Sequence, residues 1–126
     1  MVSQFLLVAA GGALGATARH SLGLLAVRVW GAGLPIGTWV VNLLGSFLIG
    51  VALPFIVAKG GMAEAARLAL VIGFLGSFTT FSTFSLDTYI LWERGHPGWA
   101  LANAGGSVVL GLGCAALGLW LGRWLA

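Results

Sequence analysis

Four long apolar runs leave this chain almost no way to fold in water. They cover about 4–27, 36–58, 68–92 and 99–121, and each supplies the roughly 20 apolar residues that a helix needs to cross a bilayer. Six basic and three acidic residues serve 126 positions, or 7% charged, where a soluble domain carries about a quarter. Such a surface cannot be made polar, so lipid is the expected solvent. The connectors VWGAGLP, KGGMAEAAR and ERGHPG are short and all contain glycine. One domain, 1–126, built of four transmembrane helices, is the expected all-α architecture. The first run is read as a span and not as a cleaved leader. It has no basic start, and Arg19 and His20 fall where small residues would be needed for cleavage.

Tryptophan supports these spans independently of hydropathy. Trp30, Trp39, Trp92, Trp99, Trp120 and Trp124 all fall near expected helix ends, where amphipathic rings settle at the membrane interface. Glycine, at 21 residues, suits membrane helices whose backbones approach closely. Four spans put Lys59, Arg67 and Arg123 on one side and Arg28, Arg94 and Arg19 on the other. Three against three sets no orientation by the positive-inside rule. The balance fits either a short chain with few charges or one that inserts both ways up. Arg19, near one end of the first run, is expected to snorkel to the interface. A net charge of +3 leans toward anions but is too sparse for a nucleic-acid surface.

Enzyme signatures are missing. The two histidines stand alone, and no Cys, His and carboxylate cluster has metal-binding spacing. The single Cys114 allows no internal disulfide. Polar residues inside the spans are the informative ones, because lipid offers them no water. The second run carries Asn42, and the fourth carries Asn103 and Ser107 at i, i+4 on one helix face. The third carries GFLGSFTTFSTFS (73–85), with four of the seven phenylalanines and six hydroxyls in thirteen residues. Phe78, Phe81 and Phe84 follow i, i+3 steps, as rings along one helix face would. A ring edge is electropositive and can favour a small anion. Edges alternating with hydroxyl and amide donors would form a ladder for an anion stripped of water.

This third-run motif resembles the signature of the Fluc (CrcB) fluoride channels. The resemblance extends to GATAR (15–19), GTWVVNLLGSFLIG (37–50) and GWALAN (98–103), and so covers all four runs in order. It implies a dual-topology antiparallel homodimer with a broken third helix, passing fluoride passively out of the cytoplasm. Carried over by position, it makes Phe81 and Phe84 the ring pair at the ion, Asn42 the pore asparagine, and Ser82 and Thr83 part of a hydroxyl track. Asn103 and Ser107 are expected to join that pathway from the fourth helix. The resemblance also implies a structural sodium ion at the dimer centre, held by the backbone carbonyls of Gly76 and Thr79, with Gly76 easing the break. Two departures stand out. Ser77 occupies a position where the family often has a second glycine, and Asp87 stands where it often has glutamate. The competing readings are a four-span multidrug exporter and a non-conducting scaffold. The exporter needs a membrane-buried carboxylate that the span centres lack. The scaffold leaves the polar ladder unexplained.

Overall fold

The computed structural model describes residues 1–58 and 62–126; Lys59, counted above among the basic residues, lies outside the described residues. Among the described residues there are helices and no strands. Helix α1 is Val2–Trp30 and α2 is Ile36–Val57. The third run divides into α3 (Glu64–Ala66), a π-helical stretch Arg67–Leu75, α4 (Gly76–Phe78) and α5 (Phe81–Glu93). Helix α6 is Pro97–Leu125. Gly31 and Gly95, with φ of 80° and 78°, turn the chain after α1 and α5 in a conformation that other residues rarely adopt.

Three helical segments are long and apolar enough to cross a membrane: Ile36–Val57, Glu64–Glu93 and Pro97–Leu125. Helix α1 has the length, at 29 residues, but is not among them. Arg19, His20 and Arg28 interrupt its apolar character. The outer faces are apolar, with Leu14, Val109, Leu112 and Trp120 each about two-thirds exposed. A bundle that shows this much hydrocarbon is built for lipid.

Inside, small residues set the geometry. Helix α1 lies directly on the π-helical stretch, and α2 lies on α6. A Cβ on Gly11 or Gly15 would collide with the carbonyls of Ala69 and Phe74, and one on Gly118 would collide with the carbonyl of Phe47. Backbone therefore meets backbone, which in lipid is the main source of helix association. The fully hydrophobic core is correspondingly small, with Val41, Leu68, Phe78, Leu91 and Ala100 at its centre.

The third run is broken as expected, but at a different residue. Gly76 keeps helical angles (φ −61°, ψ −32°), and the chain opens at Thr79 (φ −85°, ψ 160°) and Thr80 (φ −151°, ψ 119°). Extended backbone suits β-branched threonine, and a threonine hydroxyl can cap the helix that restarts. Glycine is not the hinge. The segment before the break has fifteen residues and α5 has 13. At 1.5 Å per residue each half reaches only about 20 Å, short of a hydrocarbon core of about 30 Å. The break therefore falls inside the membrane.

Candidate functional site

Breaking a helix in lipid strands backbone groups that must find partners. Here one side chain takes most of that work. Asn42, on α2, accepts from the Thr80 N–H through Oδ1 at 2.7 Å and donates from Nδ2 to the Thr80 carbonyl at 3.0 Å. Both polar groups of one extended residue are thus satisfied by one amide. Thr80 then caps α5: its Oγ1 accepts from the Thr83 N–H at 3.2 Å and donates to Thr83 Oγ1 at 3.1 Å. The Ser82 hydroxyl lies 3.3 Å from the same oxygen.

These two diversions account for two of the N–H groups that the break takes from the helix. In a continuous helix the Thr80 N–H would bond to Gly76 and the Thr83 N–H to Thr79, each four residues back. Both N–H groups are turned to side-chain oxygens instead. The Phe81 and Ser82 N–H groups, at the start of α5, likewise lie beyond the break, so the carbonyls of Gly76, Ser77, Phe78 and Thr79 all lose their helical donors. Gly76 also lies at the surface of the single chain. The Thr79 carbonyl receives the Arg19 guanidinium, with Nη1 at 3.4 Å. This corrects the expectation for Arg19. Its side chain turns inward, part-buried, and brings a positive charge to the break instead of snorkelling. The Thr79 carbonyl, left without its helical donor at the end of the first half of the broken helix, is the physical reason.

A groove of about 390 Å³ opens beside the break. Asn42, Ser46, Gly76, Thr79, Thr80, Phe81, Phe84 and Ser107 line it together with apolar side chains such as Ile49 and Val108, and among the described residues no carboxylate does. Phe81 and Phe84 stand with ring centroids 5.6 Å apart and planes inclined by 46°. The expected row of three rings does not form. The break separates Phe78 from Phe81, and Phe78 is buried against Phe74 at 5.6 Å. Ser82 and Thr83 do not line the groove; both lie exposed on α5, and Phe81, at the groove, is itself 78% exposed. Asn103 is fully buried behind the groove and does not line it.

Sequence reasoning missed two groove hydroxyls. Ser46 sits one turn after Asn42, and that i, i+4 spacing was available as a signal. Thr80 lay in the motif, but nothing local marked it as the cap. Asp87 accepts from Thr38 Oγ1 at 2.7 Å, which ties α5 to α2 beside a second cavity of about 310 Å³ also lined by Arg94. Of the expected interfacial tryptophans, Trp39 is different. Its indole points inward to Asn103 while its ring packs 6.4 Å from Trp99.

An apolar helical bundle and a helix broken inside the membrane together define a multi-pass integral membrane protein, with a groove of polar side chains and aromatic rings at the break. The family of CrcB-like proteins, described as Camphor Resistance (CrcB), matches residues 6–119. Similar proteins include one from Thermus thermophilus, 49% identical over 121 residues and covering 96% of both chains. Another, from Nitrobacter hamburgensis, is 44% identical over 119 residues, covering 94% of this chain and 93% of its own. A third, from Cereibacter sphaeroides, is 45% identical over 126 residues, covering 96% and 99%. The first and third carry the name "Fluoride-specific ion channel FluC", and the second "Fluoride-specific ion channel FluC 2". The chain belongs to the CrcB family.

Proposed function

We propose that the protein is a fluoride-selective ion channel of the bacterial plasma membrane, and not an enzyme, that lets cytoplasmic fluoride leave down its gradient. The observation that carries this reading is the groove at the break. It offers an amide, hydroxyls and two inclined rings without one carboxylate. Conduction needs binding that is favourable yet weak enough to release the ion. Full positive charges inside the path would hold an anion too long, whereas neutral donors and ring edges give several moderate contacts in series. Asn42 spends one amide proton on the Thr80 carbonyl and keeps a second for the ion.

The working unit in this proposal is an antiparallel homodimer of four-span subunits embedded in lipid. Its support is the surface of the single chain. Phe81, Ser82, Thr83 and Gly76 all lie exposed beside the break, where a second copy would cover them and complete the hydroxyl track. Asn103 and Ser107 approach the same pathway from α6, Ser107 at the groove and Asn103 behind it. In this proposal the carbonyls of Gly76 and Thr79 would hold a structural sodium ion, the Thr79 oxygen offering the lone pair that the Arg19 guanidinium leaves free. They are oxygen donors released by the break, with the chemistry that hard cations accept, and two copies would double their number. When bound, the ion would supply a local positive charge and cross-link the two chains.

Purified protein in liposomes should release fluoride and retain chloride. In that assay Phe81→Ile and Phe84→Ile should each slow fluoride release by about tenfold, because isoleucine keeps bulk but has no electropositive edge. Unchanged rates from both variants would reduce the rings to packing. Topology has its own test. A tag on the N-terminus should be labelled from both sides of the membrane in cells, and labelling from one side alone would rule out opposed subunits.

A further inference from the structure

Asn103 joins α2, α5 and α6, and one of its partners fixes the direction of every hydrogen bond around it. An indole N–H can only donate. The Asn103 atom facing Trp39 Nε1 is therefore the amide oxygen. An oxygen of this kind cannot donate, so the Ser107 hydroxyl must give it a proton, at 3.3 Å. The amide nitrogen then donates to Thr88 Oγ1 at 2.8 Å, and Thr88 donates onward to the Phe84 carbonyl at 2.8 Å. The consequence reaches the groove. Ser107 lines it with Asn42 and Phe84, but its only hydroxyl proton is committed to Asn103. Toward the groove it shows lone pairs, which oppose an anion.

We propose that Trp39 and Asn103 act together as a holder for the Ser107 proton: the proton rests on Asn103 when the groove is empty and turns to the anion when one arrives. Neither residue touches the ion; both are positioning residues. The bond that gives way is the longest of the three at Asn103. Only a hydroxyl rotates, so no backbone moves. Trp39 makes the release cheap, because its N–H still satisfies the buried oxygen after Ser107 has turned away. Without that indole, release would leave a buried acceptor unpaired. The proposal rests on the fluoride-channel reading.

Two measurements test it on the full-length protein. The first follows the Trp39 indole N–H resonance of nitrogen-15-labelled protein, assigned by its loss in Trp39→Phe. Fluoride should shift it, since the oxygen it bonds to loses a competing donor. Chloride should not, and the fluoride shift should vanish in Ser107→Ala. The second is fluoride release from liposomes. Trp39→Phe should slow it by about threefold or more, the range expected for one hydrogen bond, but should add little in a Ser107→Ala background. An indole resonance indifferent to fluoride would overturn the proposal. So would an equal slowing in both backgrounds, which marks Trp39 as packing alone, or a faster rate in Trp39→Phe. Wild-type protein that releases no fluoride would remove the channel reading itself. Normal release with a silent indole removes only the proton holder.

Discussion

Liposomes carrying Asn42→Asp protein are expected to release fluoride at least about thirtyfold more slowly than wild type at neutral pH. The substitution changes one atom group. It keeps an oxygen for the Thr80 N–H but replaces the Nδ2 donor, now 3.0 Å from the Thr80 carbonyl, with a second oxygen. Two acceptors would face each other inside the membrane, and the carboxylate would lie along the path of an anion. Losing one buried hydrogen bond and opposing two acceptors costs roughly 2–4 kcal/mol, which the thirtyfold figure reflects. A neutral carboxylic acid would restore the donor, and burial favours the neutral form. Partial recovery on mild acidification is therefore part of the expected result. The control is Asn42→Ala, which removes the donor and cannot recover with pH. Wild-type rates from Asn42→Asp protein that still assembles would show that the break holds itself without this amide.

The second large effect concerns stability. Gly15→Ala should lower the melting temperature of the purified protein by about 10 °C, whereas Gly113→Ala should leave it unchanged or slightly higher. At Gly15 a methyl group has no space, because the Phe74 carbonyl already occupies it. A carbonyl on a helix cannot turn aside as a side chain can, so α1 must lift from the π-helical stretch. Overpacking of this kind costs roughly 1–3 kcal/mol, and each kcal/mol moves the midpoint by a few degrees. Gly113 meets nothing within 4 Å, and alanine is the better helix former by about 1 kcal/mol. Equal behaviour of the two variants would mean that the close crossing of α1 carries no stability.

The bundle was readable because the bilayer imposes one long-range rule. Apolar runs of sufficient length must be helices, and the observed helices match the expected runs to within a few residues. Charge spoiled the rule only in α1, where Arg19 and His20 lie among apolar residues. The break was legible as a motif but not as a location. Glycine suggested Gly76 through its conformational freedom, yet Thr79 and Thr80 open the chain because Asn42, 38 positions away, supplies the missing partners. No local propensity encodes that distance. The same limit applies to Trp39 and Asn103. An end-of-helix tryptophan reads as an interfacial anchor until a partner 64 residues on is placed beside its N–H.

The pairing of the helices has a consequence for how the protein is made. Helix α1 packs on the first half of the broken helix, and α2 packs on α6. Synthesis runs from the N-terminus, so the first two helices reach the membrane before either main partner exists. Their glycine faces, which end up against backbone, must wait in contact with lipid tails. Asn42 waits for Thr80, and Trp39 waits for Asn103. Each later helix settles one of these debts, and the last of them is met only when α6 arrives. A ribosome that stalls before residue 80 therefore leaves an apolar hairpin in the membrane, with an unpartnered amide and an unpartnered indole but no groove.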